Sequence, residues 1–62
     1  MYIIYDMNWN EEDVLEDFST ESEAISYILE ILPSDDFAYI VADEDNSANM
    51  CIVYQGRVWR PQ

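Results

Sequence analysis

The sequence predicts a small α+β domain in which one helix packs on a face of an antiparallel sheet of three to five strands. Three observations support this fold class. A chain of 62 residues holds one domain at most. One segment repeats apolar residues at helical spacing. The segments around it are rich in β-branched and aromatic residues. The predicted order is a strand, an undecided second strand, a helix and three more strands, all within a single acidic domain over residues 1–62.

The first strand is predicted over residues 2–7, which are rich in isoleucine and tyrosine and end at polar asparagines. Residues 11–13 follow as an acidic turn. Residues 14–18 fit either a short second strand or a lead-in to the helix, and the sequence does not decide between the two.

The helix is predicted to begin after Thr20, because Thr20 and Glu23 have the spacing of a capping box. In this motif the threonine oxygen accepts from the Glu23 amide, and the Glu23 side chain accepts from the threonine amide. Pro33 should end the helix because it has no amide hydrogen. The apolar stripe expected to face the sheet consists of Ala24, Ile25, Ile28, Leu29 and Leu32.

Strands are also predicted over residues 37–42 and 50–54, the first of them well buried, with a polar loop between them. Gln55 and Gly56 should form a two-residue hairpin turn, in which Gly56 can take a positive φ. The last strand then returns antiparallel. Its predicted register pairs Tyr54 with Arg57, Val53 with Val58, and Ile52 with Trp59.

The charge balance is extreme. The chain has 14 Asp and Glu residues, two arginines and neither Lys nor His, so its formal net charge is -12. Such a charge weakens folding through self-repulsion and favours solubility. Disorder would also require low hydrophobicity. Because 50% of the residues are hydrophobic, we expect a folded domain.

The composition argues against an enzyme. Without His or Lys the chain lacks the commonest general base and the amine nucleophile. Cys51 has no histidine to activate it, and we expect it to be a reduced core residue of a cytosolic protein. No stretch approaches the ~18 apolar residues of a membrane span. Residues 1–6 lack the basic and apolar regions of a signal peptide, so we expect a cytoplasmic location.

Oxygen-bearing side chains near the start of the chain have the spacing of a calcium-binding loop. They are Asp6, Asn8, Asn10, Glu12 and Asp17. Glu11 occupies the position where the sharp turn of such a loop needs glycine, and Asp17 is shorter than the usual bidentate glutamate. We therefore predict no metal site and no cofactor, and calcium binding is kept only as an alternative.

The carboxylates are expected to bind a basic surface on a partner protein. B-DNA carries one charge per ~1.7 Å of axis, so a domain about 27 Å across matches the length of roughly 16 phosphates. A protein that grips DNA through Lys and Arg can grip such a surface instead. The predicted partner-binding residues are Glu11, Glu12, Asp13, Glu16, Asp17, Glu23, Glu30, Asp35, Asp36, Asp43, Glu44 and Asp45, with Trp9 as an aromatic anchor. Tyr2, Tyr27 and Tyr39 are further anchors if they are exposed.

In length, charge and small α+β plan, the chain resembles phage-encoded inhibitors of bacterial DNA-handling defence systems. These include anti-CRISPR and anti-restriction proteins, some of which imitate DNA. The resemblance covers the whole chain in composition and involves no motif, so it assigns no residue. It implies stoichiometric blockade of a DNA-binding groove in the cytoplasm of a host cell. The alternative is a structural or regulatory domain that acts through an apolar homodimer or subunit interface. Direct binding to nucleic acid or membrane is not expected.

Overall fold

A computed structural model describes residues 1–12, 17–46 and 48–60, and it confirms the predicted α+β fold. The elements are β1 (Tyr2–Asp6), α1 (Glu21–Glu30), β2 (Tyr39–Asp43), β3 (Met50–Tyr54) and β4 (Arg57–Trp59). Of the undecided segment 14–18, residues 14–16 lie outside the described residues, and Phe18 forms an isolated antiparallel bridge with Tyr2. Among the described residues, no helix is long and apolar enough to cross a membrane.

The four strands form one antiparallel sheet in the order β1-β2-β3-β4. The register places Asp6 opposite Tyr39 at one end of the sheet and Tyr2 opposite Asp43 at the other. We refer to these as the Tyr39 end and the Asp43 end. The turn between β3 and β4 falls at the Tyr39 end, because β3 runs antiparallel to β2 and finishes there.

The hairpin of β3 and β4 confirms both the predicted turn and the predicted register. Gln55 and Gly56 have φ values of 52° and 71°, the left-handed conformation that a type I′ turn requires at both central positions. Glycine adopts it without a steric penalty. The pairs are Tyr54 with Arg57, Val53 with Val58, and Ile52 with Trp59.

The start of α1 confirms one half of the predicted capping box. Thr20 is extended, and its Oγ1 accepts a hydrogen bond from the Glu23 amide over 3.2 Å, which satisfies a donor that the helix leaves unpaired. The other half is wrong, because Glu23 Oε2 accepts from the Ser19 hydroxyl over 3.3 Å instead of from the threonine amide. At the far end Pro33 follows the last helical hydrogen bonds and, lacking an amide hydrogen, ends the helix as predicted.

The core lies between α1 and one face of the sheet. It consists of Ile4, Ala24, Ile28, Tyr39, Val41, Cys51 and Val53. As predicted, Cys51 is buried and free, and burial raises the pKa of its thiol. The predicted helix stripe is wrong at Leu29, which is exposed. Leu29 lies about 100° around the helix from the buried Ile28, outside the arc that faces the sheet.

Strand boundaries differ from the prediction in three strands. The strand predicted over residues 37–42 begins only at Tyr39, where pairing with β1 starts, and extends to Asp43. The amides of Asp36 and Phe37 both donate to the Pro33 carbonyl, over 3.2 and 3.0 Å, and this turn leaves Phe37 60% exposed. Similarly, β1 was predicted to include Met7 but ends at Asp6, and Met7 is exposed. The last strand, predicted over residues 57–60, ends at Trp59.

The face of the sheet that α1 does not cover, here called the open face, carries a continuous apolar row. Because side chains alternate along a strand, the register aligns one residue from each strand across it. The row is Tyr5, Ile40, Ile52 and Trp59. The ring of Trp9 extends it, with its centroid 6.2 Å from that of Tyr5. Ile40 is buried, whereas Trp9 and Trp59 are 60% and 54% exposed.

Candidate functional site

At the Tyr39 end, two loops border a groove of about 750 Å³. One loop follows β1 and the other leads into β2. The lining combines three carboxylates with apolar and aromatic side chains. It consists of Asp6, Met7, Asn8, Glu12, Pro33, Asp36, Phe37, Ala38, Tyr39 and Tyr54. This set is called the groove below.

The loop after β1 is shaped by the carboxylate of Asp6. Its Oδ1 accepts hydrogen bonds from the amides of Asn8 and Asn10 over 2.8 and 3.0 Å, and Trp9 between them has a left-handed φ of 64°. The chain then turns back along β1, where the Glu12 amide donates to a β1 carbonyl over 2.9 Å. These bonds hold the carboxylates of Asp6 and Glu12 on one wall of the groove.

The loop before β2 forms the other wall. Its Pro33 carbonyl accepts from two successive amides, as described above, and this turn presents Asp36 and Phe37 to the groove. The Gln55 amide donates to the carbonyl of the buried Ser34 over 2.7 Å. That bond ties the loop to the β3–β4 turn and so holds the second wall against the sheet.

Tyr39 joins the core to the groove. It is only 5% exposed, and its hydroxyl forms no hydrogen bond with the described residues. No buried side-chain oxygen or nitrogen in this part of the chain lacks a partner, so the hydroxyl is accessible to solvent, and Tyr39 is among the residues that line the groove. Burial raises the pKa of Tyr39, and the charges of Glu12 and Asp6 raise it further. The phenol therefore stays neutral in a negative potential.

The two ends of the sheet differ in how their carboxylates are neutralised. At the Asp43 end, the amino group of Met1 lies 3.9 and 3.8 Å from carboxylate oxygens of Asp43 and Asp45. Arg60, which follows β4, pairs with Glu21 at the start of α1. No described cation lies within ion-pair distance of the three groove carboxylates. The residues outside the described ranges include neither Lys nor Arg. Arg57 stands at the same end of the sheet, opposite the groove-lining Tyr54, but forms no ion pair among the described residues. The groove therefore has three carboxylates without a direct ion-pair partner in the described part of the chain.

The predicted partner-binding residues fall into two groups at opposite ends of the sheet. The Tyr39 end has Trp9, Glu11, Glu12, Asp35 and Asp36. The Asp43 end has Asp17, Glu23, Asp43, Glu44 and Asp45. Glu30 is exposed at the end of α1, and Asp13 and Glu16 lie outside the described residues. Of the whole set, the groove brings together Glu12 and Asp36.

Sequence reasoning did not assign Asp6 or Phe37 to the partner site. The asparagines two and four residues after Asp6 are a signal for its role, because an aspartate often accepts from nearby downstream amides in a turn. The same turn accounts for the calcium-like spacing. In the described ranges, no group of three or more His, Cys, Asp or Glu side chains is close enough to hold a metal ion.

Comparisons with known proteins identify no family model, no curated protein and no solved structure that matches the chain. The groove offers carboxylate oxygens, a neutral phenol and exposed aromatic surface. These groups suit a cationic ligand with apolar parts.

Proposed function

We propose that this chain is a non-catalytic acidic binding protein that occupies a basic, nucleic-acid-binding surface on a partner protein. The observation that carries the proposal is the excess of carboxylates at the Tyr39 end. In the described part of the chain, that end has Asp6, Glu11, Glu12, Asp35 and Asp36 against one arginine, Arg57, which forms no ion pair with them. A basic surface on a partner can supply the opposite charge that the chain, with its net charge of -12, lacks.

The size of the molecule supports the same proposal. Its principal extents are 30 × 28 × 21 Å, and 30 Å of B-DNA carries roughly 18 phosphates. The 14 carboxylates of the chain give a comparable charge on a body of that length. Many of these carboxylates group at two ends of the sheet and do not follow one line. The proposed likeness to DNA is therefore in charge density and not in the spacing of the charges. A bacterial DNA-handling defence complex is a partner of this chemistry, and an inhibitor of it encoded by a phage would act in the host cytoplasm.

The proposal is tested by capturing partners on the immobilised chain from a nuclease-treated bacterial lysate. Bound protein should be released when salt rises from about 50 to 200 mM, because displaced counterions dominate such binding. Duplex DNA should also release it. Each captured protein should then bind DNA when purified, and the acidic chain should inhibit that binding at a one-to-one ratio.

A charge-neutralised variant provides the control. Glu11→Gln, Glu12→Gln, Asp35→Asn and Asp36→Asn together remove four charges from the Tyr39 end and should capture much less of the same partner. Circular dichroism shows whether the variant folds. Capture that persists in high salt, resists DNA and involves proteins without affinity for nucleic acid contradicts the proposal.

A second candidate function, a homodimer or subunit interface, is favoured by the open face. Its row of apolar side chains spans all four strands, and its two tryptophans are more than half exposed. Aromatic residues of this kind commonly anchor protein interfaces. Because charge repulsion opposes the meeting of two copies, we place this candidate second.

A further inference from the structure

The groove has three properties that together indicate the kind of group it receives. Three carboxylates line it, and none of them forms an ion pair with a described cation. Tyr39 also lines it; this residue is only 5% exposed, and its hydroxyl has no hydrogen-bond partner among the described residues. Phe37, another lining residue, is 60% exposed. The ligand should therefore be cationic, able to donate several hydrogen bonds, and flat enough to pack on an aromatic ring.

The spacing of the carboxylates favours an organic cation over a metal ion. In the described part of the chain, no three such groups converge on one point closely enough to hold a metal. One oxygen of Asp6 already accepts two backbone amides, whereas Glu12 and Asp36 accept no hydrogen bond on their side chains from the described residues. The volume of about 750 Å³ also falls in the range of sites that take small organic groups.

We propose that the groove receives an arginine side chain of the partner protein, with the carboxylates of Asp6, Glu12 and Asp36 around its guanidinium and the ring of Phe37 against its plane. This inference rests on the proposed function, because it names the group that the partner inserts. Arginine fits better than lysine for two reasons. Its guanidinium has five N–H donors in one plane, which suit acceptors spread over two walls, and that plane stacks on aromatic rings. The neutral Tyr39 hydroxyl supplies a further acceptor.

The test uses the full chain, labelled with ¹⁵N and titrated with a hexa-arginine peptide and, separately, with a hexa-lysine peptide of equal charge. Amide shift changes with hexa-arginine should concentrate in residues 6–12 and 36–39. The dissociation constant for hexa-arginine should be smaller than that for hexa-lysine by about tenfold, because bidentate and stacked contacts are available to arginine alone.

Matched variants separate the groove from general attraction. Glu12→Gln with Asp36→Asn should weaken hexa-arginine binding by about tenfold, since charge-assisted hydrogen bonds are lost. Glu30→Gln with Glu44→Gln removes the same charge from exposed positions outside the groove and should weaken binding only about twofold through long-range attraction. Tyr39→Phe, which keeps the buried ring and removes the hydroxyl, should weaken hexa-arginine binding more than hexa-lysine binding.

Equal weakening by the two double variants, or equal affinity for the two peptides, overturns the arginine assignment. That result leaves the proposed function in place, because salt-sensitive and DNA-competed capture requires only the net charge. Conversely, hexa-arginine binding in the groove together with captured partners that do not bind nucleic acid overturns the proposed function and keeps the groove as an arginine site. The two proposals therefore fail separately.

Discussion

Tyr39 connects stability to binding at the scale of a single residue. It belongs to the core that α1 forms with the sheet, and it lines the groove together with Asp6 and Glu12. Burial disfavours the charged phenolate, and the two neighbouring carboxylates disfavour it further. The proton on Tyr39 is thus held more tightly in the folded chain than in the unfolded chain.

This difference predicts a loss of stability at alkaline pH. The pKa of Tyr39 is raised above its ordinary value of 10.0, so between that value and the higher folded value the unfolded state binds fewer protons. The free energy of unfolding should therefore fall as pH rises above about 10, and Tyr39 should contribute no pH dependence well below that value. Urea denaturation at a series of pH values should show a shallower alkaline decline for Tyr39→Phe than for the wild type.

The comparison with Tyr39→Phe is needed because ionisation of Cys51 also lowers the free energy of unfolding as pH rises. Burial and the charge of Glu21 raise the pKa of the Cys51 thiol, so Cys51 also lowers stability at alkaline pH in both proteins. Glu12→Gln gives a second measurement. The phenolate absorbance lost on Tyr39→Phe isolates Tyr39 from the other four tyrosines, and in the Glu12→Gln background this difference should appear at a lower pH than in the wild type. Identical alkaline slopes for the wild type and Tyr39→Phe would contradict this assignment of the proton.

Single residues also show where sequence reasoning reaches its limit. The burial of Cys51 was predicted from its apolar neighbours and is confirmed. Phe37 looked like the start of a buried strand, but two backbone bonds to Pro33 hold it in a turn and leave it exposed. The proximity of Asp6 and Tyr39 follows from a strand pairing 33 residues apart in the chain. Local patterns contain no information about such a pairing.

At the scale of elements, the cap of α1 is open to a direct test. Thr20→Ala removes the oxygen that accepts from the Glu23 amide and should lower the free energy of unfolding by about 1 kcal/mol. For a domain of this size the midpoint of thermal unfolding should fall by about 4–8 °C. Ser22→Ala, an exposed change within the first turn of the same helix, should change stability by less than about 0.5 kcal/mol. Equal effects from both substitutions would show that the cap contributes nothing.

The elements that sequence predicted best are those with local chemistry. The helix start and end depend on Thr20 and Pro33, and the hairpin depends on Gly56, so all three were placed within a few residues. The partners of β1 were not predictable in the same way. β1 pairs with β2 although the whole of α1 lies between them in the sequence. Which strand β1 pairs with follows from how the helix packs on the sheet.

At the scale of the whole molecule, sequence established the amount of charge but not its arrangement. Two of the predicted partner-binding acids, Glu12 and Asp36, come together in the groove, and others stand at the far end near internal cations. Composition could not separate these groups. The distinction depends on where the fold places the few cations: the amino group of Met1 beside Asp45, Arg60 beside Glu21, and Arg57 opposite Tyr54 without an ion pair among the described residues.

The two candidate functions predict opposite responses to salt. Salt weakens the attraction of the groove end to a basic partner, whereas it screens the repulsion between two copies of net charge -12 and so favours contact through the open face. We expect Trp59→Ser, at an exposed position on the edge strand β4, to leave partner capture unchanged within about twofold, because rim contacts outside the binding centre add little. Sedimentation velocity should show a monomer at low salt for both proteins. Two results together would assign the function to the open face instead. The wild type would form a dimer as salt rises while Trp59→Ser stays monomeric, and Trp59→Ser would fail to capture the partner.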